Sequence, residues 1–432
     1  MEKMMDFLEK YLMPISGKMS ANKYLRAISG GFIAIMSANI IGSMFTLLGN
    51  LPIPAYTTWL ANTGLNAVLA LPGTVTVSMI SLYAAFFIAY TLAREFQSDG
   101  AGAGLISLIS FFIVTNVGRY FVAAEEGAAA VTAVSTEFLA AKGLFAAMII
   151  ALITGRAYVW ILDKGWTIKL PDSVPPNVTN SFKTLIPGFI IVTCWLIIGT
   201  LCTKTSYGGL HQMIFGVIQS NLMRFMGNNI GAWAFFNIMT GLLWFFGLHG
   251  GNIVGSITNP IYTPLSLENL EVYMADPTAK LPNIISGAFG KTFTFGGVAS
   301  MFGLAILMVF FAKSEQMKTL GKLALPTTIF FINEPLLFGI PTVLNPLFFF
   351  PMLFLTTIQG VLTYIMMKIG VVPIARGVQI PWTTPPVIDG FLQGGVGLAI
   401  WEFLMVLLSM VLWYPFFKIQ DNISLKQEQG DK

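Results

Sequence analysis

A carboxylate in the middle of an apolar segment is the group in this chain best placed to do chemistry. Glu334 lies in LPTTIFFINEPLLFGIP, residues 325–341, with apolar side chains on both sides of Asn333, Glu334 and Pro335. At bilayer depth an unpaired carboxylate costs about 3 kcal/mol or more unless it is paired, hydrated or protonated. No Lys or Arg lies within the segment. A structural role stays open, as a pair with a distant cation or a cap on a broken helix end. The functional reading is a carboxylate that binds a polar solute and takes a proton from one of its hydroxyls.

His249 is the second candidate. It closes the aromatic run in WFFGLHGGN, residues 244–252, and precedes Gly250, Gly251 and Asn252. Glycines let a backbone approach a ligand closely, although a lone His at a membrane interface also serves as a packing residue. Trp244 and Trp382, the latter in IPWTTPP at 380–386, could stack on the C–H faces of sugar rings while amides and carboxylates bond the hydroxyls. An interfacial belt is the competing role for each tryptophan. His211 lacks a glycine setting and reads as structural. Glu402 is a further buried carboxylate, with no partner assignable from sequence.

Other chemistries are missing from the residues. There is no GxxxxGK[ST] sequence for a nucleotide phosphate. Two His and two Cys give no credible zinc or haem site, and no cofactor is expected. Cys194 and Cys202, eight residues apart on one apolar segment, read as packing residues.

The elements that must position these groups follow from composition. Of 432 residues, 55% are hydrophobic and 10% charged. Soluble domains carry roughly 25% charge. This excludes a soluble enzyme, a disordered scaffold and a nucleic-acid binder, and leaves a multi-span membrane protein with the lipid bilayer as its solvent. The 42 Gly and 22 Pro fit broken or re-entrant segments better than plain helices.

With about 20 apolar residues per crossing, spans are expected near 25–49, 75–93, 101–117, 143–162, 185–202, 208–225, 230–248, 291–311, 344–367 and 390–416. The sixth is weak, because it holds His211, Gln219, Asn221 and Arg224. Lys3, Lys10, Lys18, Lys23 and Arg26 place the N-terminal stretch in the cytoplasm, and Lys313, Lys318 and Lys322 place their loop there too. Parity then requires the sixth segment to cross.

The expected fold is an all-α polytopic membrane protein with about ten transmembrane helices, two re-entrant hairpins and both termini cytoplasmic. One hairpin is expected over about 249–290, too broken by Gly and Pro for a helix, and the other over 325–341. The organisation expected is an N-terminal cytoplasmic amphipathic segment at 1–24 and a first transmembrane domain at 25–207. A second transport domain follows at 208–417, then a cytoplasmic tail at 418–432.

INEPLLFGIP around Glu334 resembles the signature of Enzyme IIC, the sugar-transporting membrane subunit of the bacterial phosphoenolpyruvate-dependent phosphotransferase system. LPDSVPPNVTNSF at 170–182, WFFGLHGGN and IPWTTPP are similar to its lactose/cellobiose/diacetylchitobiose branch. The resemblance implies a homodimer formed by the first half and a sugar site in the second. It implies uptake of a β-linked disaccharide and phosphorylation at its 6-hydroxyl, in the bacterial cytoplasmic membrane. The phosphoryl donor would be a cysteine on a separate phosphorylated IIB protein, docking on the cytoplasmic face.

By the same resemblance, Glu334 and His249 are the catalytic candidates, Glu334 as base and His249 bonding the sugar near the reacting oxygen. Asn333 and Asn252 complete the polar shell, Trp382 stacks, and Thr383 and Thr384 line the site. Gln219 and Trp244 are further substrate-binding candidates. Two other functions compete. In one, a secondary transporter, Glu334 carries a coupling proton. In the other, a membrane sugar receptor, a sizeable cytoplasmic signalling domain is missing from the sequence.

Overall fold

The computed structural model describes residues 18, 21–50, 54–115, 117–121, 130–134, 136–168, 170–171, 176–340 and 342–430. Most of the amphipathic segment expected at 1–24 lies beyond the described residues. Six helices among them are long and apolar enough to cross a membrane: Lys23–Gly49, Leu65–Glu95, Ala141–Asp163, Phe182–Thr203, Pro346–Lys368 and Ile388–Glu428. Shorter apolar helices are Gly100–Val114, Ile230–Phe245 and Val298–Phe311.

The chain divides into two compact units, one of residues 1–46 and 64–223, the other of 47–63 and 224–432. The main division thus follows Met223 rather than residue 207, and the stretch 47–63 belongs with the later unit.

The first unit contains α1 (Lys23–Gly49, its last residues assigned to the second unit), α3 (Leu65–Thr76), α4 (Ile80–Glu95), α5 (Gly100–Val114), α6 (Leu144–Asp163) and α7 (Pro176–Thr203). The helix α2 (Pro54–Thr63) belongs to the second unit. The stretch between the first two expected spans is therefore helical from Pro54, and α3 runs into α4 through a 3-10 turn at Val77–Met79. Small residues let α4 and α6 approach closely: Ala85, Ala89, Ala147 and Ala151 are fully buried, as expected where helices associate in lipid by close van der Waals packing. Ser107 of α5 donates to the Ala85 carbonyl at 2.7 Å. Asp99 caps α5, accepting from the amides of Ala101 and Gly102 at 3.1 and 3.0 Å.

Two features depart from an all-helical, ten-span layout. A two-stranded antiparallel ribbon, β1 (Val117–Phe121) with β2 (Ala130–Val134), pairs Val117 with Val134 and Phe121 with Ala130. The weak sixth segment is helical but irregular. Short α-helical pieces, α8 (Leu210–Ile214) and α9 (Ser220–Leu222), alternate with π turns at Phe215–Gln219 and Met223–Gly227. It is not among the six long apolar helices. His211 is structural there, with Nε2 at 3.0 Å from the Thr115 hydroxyl and its ring stacked on Phe138 at 5.0 Å.

The second unit contains α10 (Ile230–Phe245), α11 (Gly250–Ala275), α12 (Phe302–Phe311), α13 (Glu315–Thr328), α14 (Glu334–Gly339), α15 (Pro346–Lys368) and α16 (Ile388–Glu428). The segment expected to be too broken for a helix forms α11, whose 26 residues include Pro260 and Pro264. At 1.5 Å per residue that is about 39 Å, long enough to cross a bilayer. The two prolines lie one turn apart on one face, so their missing N–H groups weaken one line of the ladder and spare the rest.

After Ala275 the chain reverses and packs back on α11. Asn283 exchanges two bonds with Asn269, at 3.0 and 2.7 Å, and Gly287 donates to the Tyr262 carbonyl at 2.8 Å. The helix expected over 291–311 is regular only from Phe302, after short 3-10 turns. Over 325–341 a reversal does occur, between α13 and α14.

Candidate functional site

Two helices of the second unit end in the same way, and each end delivers a candidate group. At the end of α10, Leu248 donates to the Leu243 carbonyl and Gly247 to the Trp244 carbonyl, both at 2.9 Å, with Gly247 at φ +75°. This is a Schellman cap with glycine in the left-handed position. It turns the chain so that His249 becomes the N-cap of α11.

The His249 Nδ1 accepts the Asn252 amide at 3.2 Å. In the neutral ring the proton then sits on Nε2, which is a donor for an incoming oxygen. The His249 ring centroid is 4.4 Å from that of Trp244, tilted by 48°. His249 and Asn252 are exposed and Trp244 is half-buried.

The end of α13 repeats the motif without glycine. Ile332 donates to the Thr327 carbonyl at 3.1 Å and Phe331 to that of Thr328 at 3.0 Å, with Phe331 at φ +67°. A bulky residue in that region is strained. The turn presents Asn333 and Glu334. Asn333 is buried, its Nδ2 is 3.6 Å from the Met301 sulfur, and its carbonyl accepts the amides of Leu336 and Leu337 at 3.0 Å each. Glu334 opens α14, directly before Pro335, and its side chain is exposed.

Further left-handed non-glycine residues in this unit are Ala299, Ser300, Leu344 and Val387. Each lies beside a segment that carries a candidate. Leu344, on the exit from the Glu334 turn, donates to the Phe245 carbonyl at 2.9 Å. That bond ties the backbone following the Asn333–Glu334 turn to the backbone preceding His249.

Trp382 is 52% exposed and Thr383 and Thr384 are half-buried. The Thr384 hydroxyl turns inward to the Pro381 carbonyl at 2.7 Å. No hydrogen bond or ring contact among the described residues joins Trp382 to His249 or Glu334. Gln219 lies in the first unit, in a π turn, buried, with Nε2 at 4.0 Å from the Met223 sulfur.

One residue escaped the sequence reading. Lys291 donates to the carbonyls of Ile380 and Pro381, both at 3.4 Å. Its only signal was a cation at the start of a segment taken for a span. Among the described residues no group of His, Cys, Asp and Glu is arranged to hold a metal.

Several helices long and apolar enough to cross a membrane, with a carboxylate and an imidazole presented on two helix-ending turns, fit a membrane transporter for a polar solute. The chain belongs to the phosphotransferase system EIIC family, whose model matches residues 29–355. It is therefore the membrane sugar-transport component of such a system, a multi-pass protein of the cell membrane that works with a IIB component.

Among curated proteins it is 36% identical over 442 residues to the PTS system cellobiose-specific EIIC component of Geobacillus stearothermophilus, covering 100% of this chain and 97% of that one. It is 34% identical over 437 residues to the PTS system oligo-beta-mannoside-specific EIIC component of Bacillus subtilis (strain 168), covering 99% of this chain and 96% of that one. Among solved structures it matches the transporter ChbC, the IIC component from the N,N'-diacetylchitobiose-specific phosphotransferase system. That match has a TM-score of 0.91 and 34% identity over 99% of this chain and 100% of that one.

Proposed function

We propose that this chain imports a β-linked disaccharide of the cellobiose or diacetylchitobiose type and presents its 6-hydroxyl to a separate phosphorylated IIB protein. The sugar class rests on the relatives named for cellobiose, oligo-β-mannosides and diacetylchitobiose. The roles of the residues rest on one observation above others: the Leu344–Phe245 backbone bond that couples the Glu334 turn to the His249 turn.

In this reading Glu334 accepts the proton of the 6-hydroxyl as its oxygen attacks phosphorus. The sulfur–phosphorus bond of the IIB phosphocysteine breaks and the thiolate leaves. His249 donates through Nε2 to a neighbouring sugar oxygen, and Asn252 and Asn333 complete the polar shell. Trp382 stacks on the sugar, Thr383 and Thr384 line the site, and Trp244, its ring tilted against that of His249, is a further substrate-binding residue. Transfer of this kind depends mainly on in-line placement and charge stabilisation, so few groups suffice. The reading includes ten spans, cytoplasmic termini, two re-entrant segments and a homodimer built on the first half of the chain.

Glu334→Gln tests the base. The variant is expected to bind cellobiose or diacetylchitobiose within a few-fold of the parent and to lose phosphorylation by about 100-fold or more, the scale of a positioned general base. Normal phosphorylation by the variant would remove Glu334 from the role.

A further inference from the structure

We propose that Lys291 and Glu402 form a polar clamp that fixes the segment Ile380–Val387 at both of its ends. The segment reads IPWTTPPV, and Pro381, Pro385 and Pro386 have no N–H with which to anchor its backbone. Side chains from elsewhere supply the anchors. At the start, the Lys291 ammonium lies 3.4 Å from the carbonyl oxygens of Ile380 and of Pro381. At the end, Glu402 Oε2 accepts the Val387 amide at 2.7 Å.

Val387 has φ +72° and ψ −44°, a conformation that a β-branched residue keeps only where its surroundings impose it. Glycine at 390 is what lets the carboxyl come this near. A Cβ there would lie 2.7 Å from Glu402 Cδ.

Glu402 and its helix neighbour Asp389 are fully buried, and Lys291 is half-buried. Burying two carboxyls of α16 beside a lysine from the 3-10 turn Phe289–Thr292 is costly, and apolar side chains would fill the same space at lower cost. What apolar side chains cannot do is donate to the Ile380 carbonyl and accept the strained Val387 amide of a proline-rich segment. Beside it, Lys291, Gln379, Ile380 and Gln393 help line a cavity of about 210 Å³, so the segment has open space into which an unanchored chain would move.

The consequence for transport rests on the proposed contact of Trp382 with sugar: a clamped segment holds the indole in place before the ligand arrives. Hydrogen exchange on the full-length protein in detergent separates the two claims. Lys291→Met and Glu402→Leu are each expected to speed exchange at the amides of Trp382–Thr384, Val387 and Ile388 by about tenfold, the scale of one lost charged hydrogen bond. Amides of α10 should keep the parent rate, and Lys291→Arg should restore slow exchange. Where Glu402→Leu does not fold, Lys291→Met read at Trp382–Thr384 carries the test, and Glu402→Gln, which keeps an oxygen for the Val387 amide, should hold the parent rate.

Unchanged exchange at these amides in a folded variant would overturn the clamp. A cellobiose titration of the same variants forms the second arm. Faster exchange with weakened binding supports both claims. Faster exchange with unchanged binding supports the clamp and removes Trp382 from the sugar site.

Discussion

At the scale of single residues, backbone geometry says more about this site than burial does. Glu334 is exposed at the first position of a short helix and has no ion-pair partner among the described residues, which leaves it open to a ligand. What fixes it is the neighbouring Asn333, packed against Gly297. A Cβ at 297 would lie 2.6 Å from the Asn333 Cγ, and Gly297 already has φ +73°. Gly297→Ala is therefore expected to cost roughly 2 kcal/mol of stability, from strain and displacement together. It should also weaken sugar binding, as checked by thermal unfolding and by titration.

His249→Gln keeps a donor near the Nε2 position and should retain more phosphorylation than His249→Ala, as read from the initial rates of both. The two motifs were legible because their residue types are rare in apolar sequence: an acid without a local cation, and a histidine between glycines. Lys291 was not, since the carbonyls it bonds lie far along the chain and carry no side-chain signature.

At the scale of elements, the turn that carries Glu334 depends on the far end of the chain. The first turn of α13 is capped from α16. Asp421 accepts the amides of Lys313 and Ser314 at 3.0 and 2.9 Å, and Glu428 accepts those of Glu315 and Gln316 at 3.1 and 2.7 Å. Carboxylates at a helix N-terminus satisfy free N–H groups and oppose the dipole. Asp421 is fully buried, so Asp421→Ala is expected to destabilise the protein by about 2 kcal/mol, seen as a lower unfolding midpoint, with a parallel loss of phosphorylation.

Helix positions were largely readable from hydropathy, as for Pro346–Lys368. The prolines of α11 were not, because a breaker counted by itself ignores the neighbours that hold the helix together. Here the returning chain bonds to Tyr262, Ser266 and Asn269 along it. The irregular residues before Phe302 were hidden for the opposite reason: apolar composition without helical backbone.

At the scale of the molecule, hydropathy sets the environment and the family sets the work. The chain aligns over nearly its whole length with a cellobiose-specific EIIC component and a diacetylchitobiose-specific IIC structure, so the fold is shared from end to end. The division after Met223 was not visible from hydropathy, which reads crossings and not the packing between them.

The central claim is that uptake is driven by phosphoryl transfer at Glu334 and not by a proton gradient. Its most direct measurement is radiolabelled cellobiose uptake into vesicles carrying this protein, supplied inside with IIB, the soluble phosphotransferase proteins and phosphoenolpyruvate. Accumulation as sugar phosphate is expected only when phosphoenolpyruvate is present, and none in Glu334→Gln. Accumulation of unmodified sugar driven by a pH gradient alone would contradict it.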